Sequence, residues 1–439
     1  MSRSTAVHRY VFVGALPFVF ALTSPLAAQQ MAIERTVTLE EAVALALRMS
    51  PAMIQREGAV ATAESGERTA LGAFLPTLSL SSGTSRSSST RFDPTNNITV
   101  NGSSASFNAG LSSGIELFDA GRRFAQRAQA QATTRSAEAA LIQQRFQVAL
   151  QARQSYFAVI RADETIRSQT AAVERAEQQL RASTERLSVG SATRSDSLRA
   201  QLELIQARHA LLSAGNQRRA AMYSLGAMIG LDGAVTTDPA TPTEPRPLSL
   251  ADQELVAIAV EQSPAVRTAL ASFEQQNAAV RVARTQYFPT MRASGGMSWS
   301  NDEFGLDGGR RSWNTGLSLS YNLFNGFSRE DANERARVNA RNAQYTLDDA
   351  RRQVRAEVRT AIDALRLAEQ QIEIAREAVR VAQEDLRVQQ TRYTLGASTI
   401  LDQIASQAAL RGSELILISA RYDYLVARAE LEALVGREL

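Results

Sequence analysis

Side-chain chemistry needs acids, bases, nucleophiles or metal ligands, and this sequence is poor in most of them. It has two histidines, His8 and His209, and no cysteine. His8 falls in an apolar leader and His209 within a helical stretch, where it reads as a structural or surface side chain. Metal sites built from His and Cys, and Ser-His or Cys-His nucleophile pairs, have almost no material to work with. Carboxylates are plentiful, but none stands apart from the Glu/Arg patterning of helical faces. The expectation is a protein that is not an enzyme and that needs no metal or cofactor. A net charge of +3 with well-mixed signs shows no nucleic-acid footprint. Function must then lie in how the elements are arranged.

The chain opens on a three-part leader: Arg3, His8 and Arg9, an apolar run from Val11 to Leu22, then Leu26-Ala27-Ala28. This is the pattern of a signal peptide over residues 1–28, and the run is too short to span a bilayer. Gln29 would follow cleavage, so no cysteine is there to carry a lipid anchor. No later stretch approaches the roughly 18 apolar residues of a membrane helix. Entry into a membrane would therefore require a β-barrel.

The rest is one unit written twice, 29–230 and 249–439, joined by a Pro-rich linker at 231–248. Ser50-Pro51 matches Ser263-Pro264 and Leu75-Pro76 matches Phe288-Pro289 at an offset of 213. Leu117-Phe118 matches Leu323-Phe324, Gly190 matches Gly396, and Asp196 matches Asp402, all at an offset of 206. The change between Pro76 and Leu117 places an insertion of about seven residues there, at an exposed hairpin tip.

Each copy has the same order. A short helix (about 38–49, then 249–262) stops at Ser-Pro, and a second runs to Phe74 or Tyr287. Two strand-like segments follow, within hairpins at 77–118 and 290–324. A very long helix (about 121–187 and 327–393) breaks at Val189-Gly190 and Leu395-Gly396, and a last helix runs to Gly230 or Gly436. Ala361, Leu365, Ala368, Ile372, Ala375, Val379, Ala382, Leu386, Gln389 and Tyr393 alternate spacings of four and three. Ser155, Val159, Ala162, Ile166, Gln169, Val173, Ala176, Leu180, Ser183 and Leu187 do the same in the first copy. These heptad seams predict left-handed supercoiling, and their narrow stripes suit a wall of helices.

The strands alternate apolar and polar. Phe107, Ala109 and Leu111 oppose Asn108, Gly110 and Ser112, and Trp313, Thr315, Leu317 and Leu319 oppose Asn314, Gly316, Ser318 and Ser320. The segment Thr77–Ser82 is weaker and serine-rich. Aromatics mark both ends: Phe74, Phe118, Tyr287, Phe288 and Phe324 near the helices, Trp299 and Trp313 toward the tips. A soluble sheet with one buried face alternates too, but here no segment remains to cover it. Four strands cannot close a barrel, so several chains must contribute.

The strings ELFDAGRR (116–123), YNLFNGF (321–327) and RYTLGASTILD (392–402), with its fainter copy RLSVGSATRSD (186–196), resemble the TolC-type outer membrane factors. The resemblance covers the whole chain after the leader. It implies a mostly α, internally duplicated coiled-coil α-barrel whose four strands per subunit join a shared 12-stranded transmembrane β-barrel. It further implies a homotrimer in outer-membrane lipid that passively serves an inner-membrane pump of the RND or ABC type through a periplasmic adaptor. Val189, Gly190, Ser191, Leu395, Gly396 and Ala397 resemble the adaptor-docking tips. Asp402 falls at the family's acidic entrance ring, where neighbouring carboxylates would raise one another's pKa. Tyr393 and Asp196 fall where a hydrogen bond links the two helix pairs. Ala405 and Ser398 replace an acid and an arginine of the family's closing network, so the gate is looser here or is locked by another group such as Arg194. Asp402 also reads as a helix cap and Tyr393 as a seam residue. The competing function is a soluble periplasmic coiled-coil scaffold or adaptor.

Overall fold

The computed structural model describes residues 35–439 except 96–97, 241–243, 246–247, 249 and 303–307. The expected signal peptide and parts of the expected linker lie outside the described residues. The first copy comprises β1 (Arg35–Val37), α1 (Leu39–Met49), α2 (Pro51–Gly72), β2 (Thr77–Asp93), β3 (Ile98–Phe118), α3 (Arg122–Ser188) and α4 (Arg194–Met228). After β4 (Val235–Thr237) the second copy follows as α5 (Asp252–Gln262), α6 (Pro264–Arg284), β5 (Thr290–Asn301), β6 (Arg310–Ser320), α7 (Ser328–Thr394) and α8 (Ile400–Val435).

Local chemistry sets these bounds. Thr38 and Glu41 form a reciprocal capping box that starts α1, and Pro51 forces Ser50 into extended backbone, which ends it. The helices α3 and α7 each have 67 residues, a rise of about 100 Å. Both follow a tight reversal with left-handed backbone, Ala120-Gly121 before α3 and Gly326-Phe327 before α7. At the first of these, Asp119 accepts from the Gly121 and Arg123 backbone N–H groups and from Arg123 Nε. A buried carboxylate thus holds the strand-to-helix corner.

The heptad seam is largely buried on α7 and partly buried on α3. Leu365, Ala368, Ile372, Ala375, Ala382, Leu386 and Tyr393 are buried on α7, and Val159, Gln169, Ala176 and Ser183 on α3. Each copy keeps its own core: Ala42, Met53, Tyr156 and Leu225 in one, Leu255, Val266, Ile372 and Leu431 in the other. Tyr422 of α8 crosses into the first core and ties the copies together.

The expected linker is partly a strand. β4 pairs in parallel with β1, and the Asp238 N–H donates to Val37 O at 3.1 Å. The buried Tyr156 hydroxyl donates to the same carbonyl at 3.3 Å. All four prolines of the linker follow this strand and leave its three residues free to pair.

The sheet runs β2-β3-β5-β6, antiparallel throughout, and both outer strands are open edges. Thr77 pairs with Gly114, and Thr290 with Ser320, the same two positions in each copy by the offsets of 213 and 206. The first hairpin is longer, with strands of 17 and 21 residues against 12 and 11. The expected insertion therefore lies in the strands, since the connection 94–97 of the first hairpin is shorter than 302–309 of the second. Leu80, Leu111, Met297 and Trp313 form one transverse row across all four strands, and all four are exposed. Ser79, Ser112, Gly296 and Asn314 form the neighbouring row on the opposite face.

Candidate functional site

The tips of the two coiled coils, α3/α4 and α7/α8, are built alike. Gly190 and Gly396 sit at φ of +78° and +75°, which suits a residue without Cβ. Ser191 N–H reaches back to Arg186 O and Ala397 N–H to Arg392 O, both at 2.8 Å, which closes each helix in a Schellman turn. Val189 and Leu395 project beyond these turns and are 77% and 78% exposed. The six expected docking residues thus occupy two equivalent, apolar-tipped turns.

The next helix begins on a capping box in both cases. Thr193 Oγ1 and backbone N–H donate to Asp196 Oδ2 at 2.7 and 3.0 Å, and Asp196 N–H donates back to Thr193 Oγ1. Thr399 and Asp402 repeat the arrangement at 2.8 and 2.9 Å. The expected upward pKa shift at Asp402 is not what the subunit creates. The Thr399 backbone N–H and hydroxyl bond the carboxylate and hold its pKa below the usual value, with Arg392 adding to the effect. Hydrogen bonds from Thr193 lower Asp196 in the same way.

Tyr393 is buried beside Ala200 and Ile400, where the two coiled coils meet. The expected hydrogen bond to Asp196 is absent: the carboxylate is engaged by Thr193, and the Tyr393 hydroxyl has no partner among the described residues. Arg186 makes the connection. Its guanidinium lies 4.6 Å from the Tyr393 ring centroid and donates to Tyr393 O at 2.6 Å. Burial raises the pKa of Tyr393, opposed by the Arg186 charge. Arg194, the expected alternative lock, makes no hydrogen bond or ion pair among the described residues. Ser398 donates to Gln389 O at 3.4 Å, a weak contact within its own hairpin. A cavity of about 380 Å³ opens beside this clasp, lined by Arg175, Gln179, Arg186, Tyr393, Gln403 and Gln407. Arg186 escaped the sequence reading because its partner is 207 residues away and in the other copy.

The remaining functional surface is the sheet. One face is an uncovered apolar surface, the other is rich in serine, glycine and asparagine, and both edges are open. No helix among the described residues is long and apolar enough to cross a membrane. Within lipid such a sheet is stable only when further copies close it into a barrel.

Comparison with known proteins agrees with this geometry. A family model described as outer membrane efflux protein matches residues 42–231 and 255–437. Protein CyaE of Bordetella pertussis is 28% identical over 411 residues, covering 90% of this chain and 81% of that protein. The fold is similar to that of the Campylobacter jejuni CmeC outer membrane channel, with a TM-score of 0.78 and 18% identity, covering 91% of this chain and 85% of that one. The open state of the Neisseria gonorrhoeae MtrE outer membrane channel gives a TM-score of 0.75 and 20% identity, covering 91% and 89%.

Proposed function

The chain belongs to the outer membrane efflux protein family and is an outer-membrane exit channel, and from that premise we propose that its helix tips form a gated periplasmic entrance. The channel sits in the outer membrane with its long helices in the periplasm, and its barrel closes only in the trimer. The family is one of channels, not enzymes, and it implies a trimer working with an adaptor and an inner-membrane pump. The finer reading is a homotrimer serving an RND-type or ABC-type pump in efflux or type I secretion.

The observation that carries the gate is the Arg186–Tyr393 clasp, which joins the two coiled coils of one subunit near their tips. Asp402 and Asp196, kept ionised by their capping boxes, supply up to six carboxylates to that end of a trimer. Arg194, two residues before Asp196 and without an ion pair among the described residues, adds a cation that would tune the field of this ring. The turns at Val189-Gly190-Ser191 and Leu395-Gly396-Ala397 are the adaptor docks, with Val189 and Leu395 as apolar anchors.

Planar-bilayer recording tests the entrance. Asp402→Ala should move the reversal potential in a salt gradient toward zero and weaken block by multivalent cations. Unchanged selectivity and block would remove Asp402 from the conduction path.

A further inference from the structure

The polar face of the sheet is uncharged along its middle. The rows Thr77, Gly114, Ser294, Gly316 and Ser81, Gly110, Ser298, Ser312 hold only small polar residues and glycine. Charge enters on this face at the helix end of the strands, in the row Glu116, Arg292, Ser318. Glu116 is already engaged, because its carboxylate pairs with Arg122 at the start of α3. Arg292 turns away from it toward Gly114, one pleat nearer the strand tips. Its Nη2, Nε and Cζ lie 2.8, 3.1 and 3.3 Å from where a Cβ on Gly114 would stand. The guanidinium thus fills a cradle that only glycine leaves open. Its N–H groups make no hydrogen bond or ion pair among the described residues, and the side chain is exposed. Together Glu116, Arg122 and Arg292 leave one net positive charge per subunit at this corner.

The fold does not require this group, because the other copy is built without it. At the offset of 213 Arg292 corresponds to Ser79. At the offset of 206 Gly114, Glu116 and Arg122 correspond to Ser320, Asn322 and Ser328. Both copies nevertheless make the same passage from strand to long helix. The cation, its cradle and the ion pair that occupies the nearby acid occur together in one half and are missing together from the other.

We propose that Arg292 is an anion-selecting residue, three of which form a guanidinium ring at the helix end of the barrel lumen and take carboxylate and phosphate groups of passing solutes. This rests on the channel reading, which sets the polar face toward the lumen and closes the barrel from three copies. A guanidinium with free N–H groups binds such oxyanions through paired hydrogen bonds. The ring lies in series with the acidic periplasmic entrance and opposes it. Cations gathered at the entrance meet a positive field before the barrel, and anionic solutes gain a partner there.

Planar-bilayer recording tests the ring, with inorganic tripolyphosphate added from the strand-tip side. Each assembled channel is read singly, so a lower yield of a variant does not obscure the result. Arg292→Gln removes three charges and should make the channel more cation-selective, a shift opposite in sign to that of Asp402→Ala. Its half-blocking tripolyphosphate concentration should rise by about tenfold or more. The difference should fade in 1 M salt, where the screening length falls to roughly 3 Å. Arg292→Lys should keep the wild-type reversal potential, since it keeps the charge. Gly114→Ala fills the cradle and should weaken the block while leaving the reversal potential in place. Conducting Arg292→Gln channels with unchanged selectivity and block, or Arg292→Lys channels that behave like Arg292→Gln, overturn the ring and leave the channel standing. A wild-type protein that forms no conducting pore overturns both.

Discussion

Asp196 and Asp402 keep their negative charge because each is bonded to the helix it begins. Their folded pKa values lie below the ordinary 3.8. Capping stabilisation is therefore fully present above that value and is lost as pH falls through the lower folded one. Amides in the first turns of α4 and α8 should lose hydrogen-exchange protection below about pH 4, relative to the interiors of the same helices. Thr193→Ala and Thr399→Ala should remove the caps at neutral pH, at a cost of about 1 kcal/mol each. Tips equally protected in the double variant would show that packing, not capping, holds these turns. At the clasp, Arg186→Ala removes both the stacked cation and the bond to Tyr393 O. Single-channel conductance should rise in this variant. Arg186→Lys should fall between the two, since an ammonium keeps the charge but not the planar stack. A conductance unchanged in Arg186→Ala would place the constriction elsewhere.

At the scale of the element, burial separates two stripes on α7: Ile372 belongs to the core, while Leu367, Ile374, Val381 and Val388 are exposed in the subunit. Ile372 is fully buried within the subunit, whereas Ile374, two residues on, is 70% exposed. Ile372→Ala should destabilise the subunit by about 2–4 kcal/mol, read as a lower thermal midpoint of the isolated, dissociated chain. Ile374→Ala should leave that midpoint in place and lower only the temperature at which the oligomer comes apart. Equal effects of both on the isolated chain would remove the distinction. The long helices were legible in the sequence because periodicity is a property of one strand of text. The expected 121–187 and 327–393 are Arg122–Ser188 and Ser328–Thr394, and most of the α7 seam but less than half of the α3 seam is buried. What the text hid depends on a second segment. β4 is a strand only because β1 lies beside it. Arg186 clasps a residue of the other copy. The α7 stripe at Leu367, Ile374, Val381 and Val388 was masked by the stronger seam on the same helix. β2 reaches Asp93, well past the expected Ser82, because residues 83–91 are all Gly, Thr, Ser or Arg, which removes the contrast on which alternation depends.

The whole molecule is a tall helical wall capped by a sheet that is unfinished in one copy. The row Leu80, Leu111, Met297 and Trp313 is 41–79% exposed in the subunit, a cost that water would not tolerate over a full barrel but that lipid removes. The adjacent row on the other face, Ser79, Ser112, Gly296 and Asn314, then lines the lumen. Strand length agrees with this division: β5 and β6, at 12 and 11 residues, match one tilted crossing, while β2 and β3 continue beyond it on a serine ladder. Ser85 with Ser106 and Ser87 with Ser104 bond across that extension at 2.8 and 2.9 Å. Leu111→Arg and Ser112→Arg are neighbours in sequence and opposite in environment. The first places a guanidinium in hydrocarbon at a cost of about 2–4 kcal/mol per copy near the midplane, and should sharply reduce the heat-modifiable oligomer recovered from the outer membrane. The second faces water, should assemble at wild-type levels, and should shift conductance toward anions through three added charges. Equal assembly of both variants would mean that Leu111 does not face lipid, and the apolar row would need another cover.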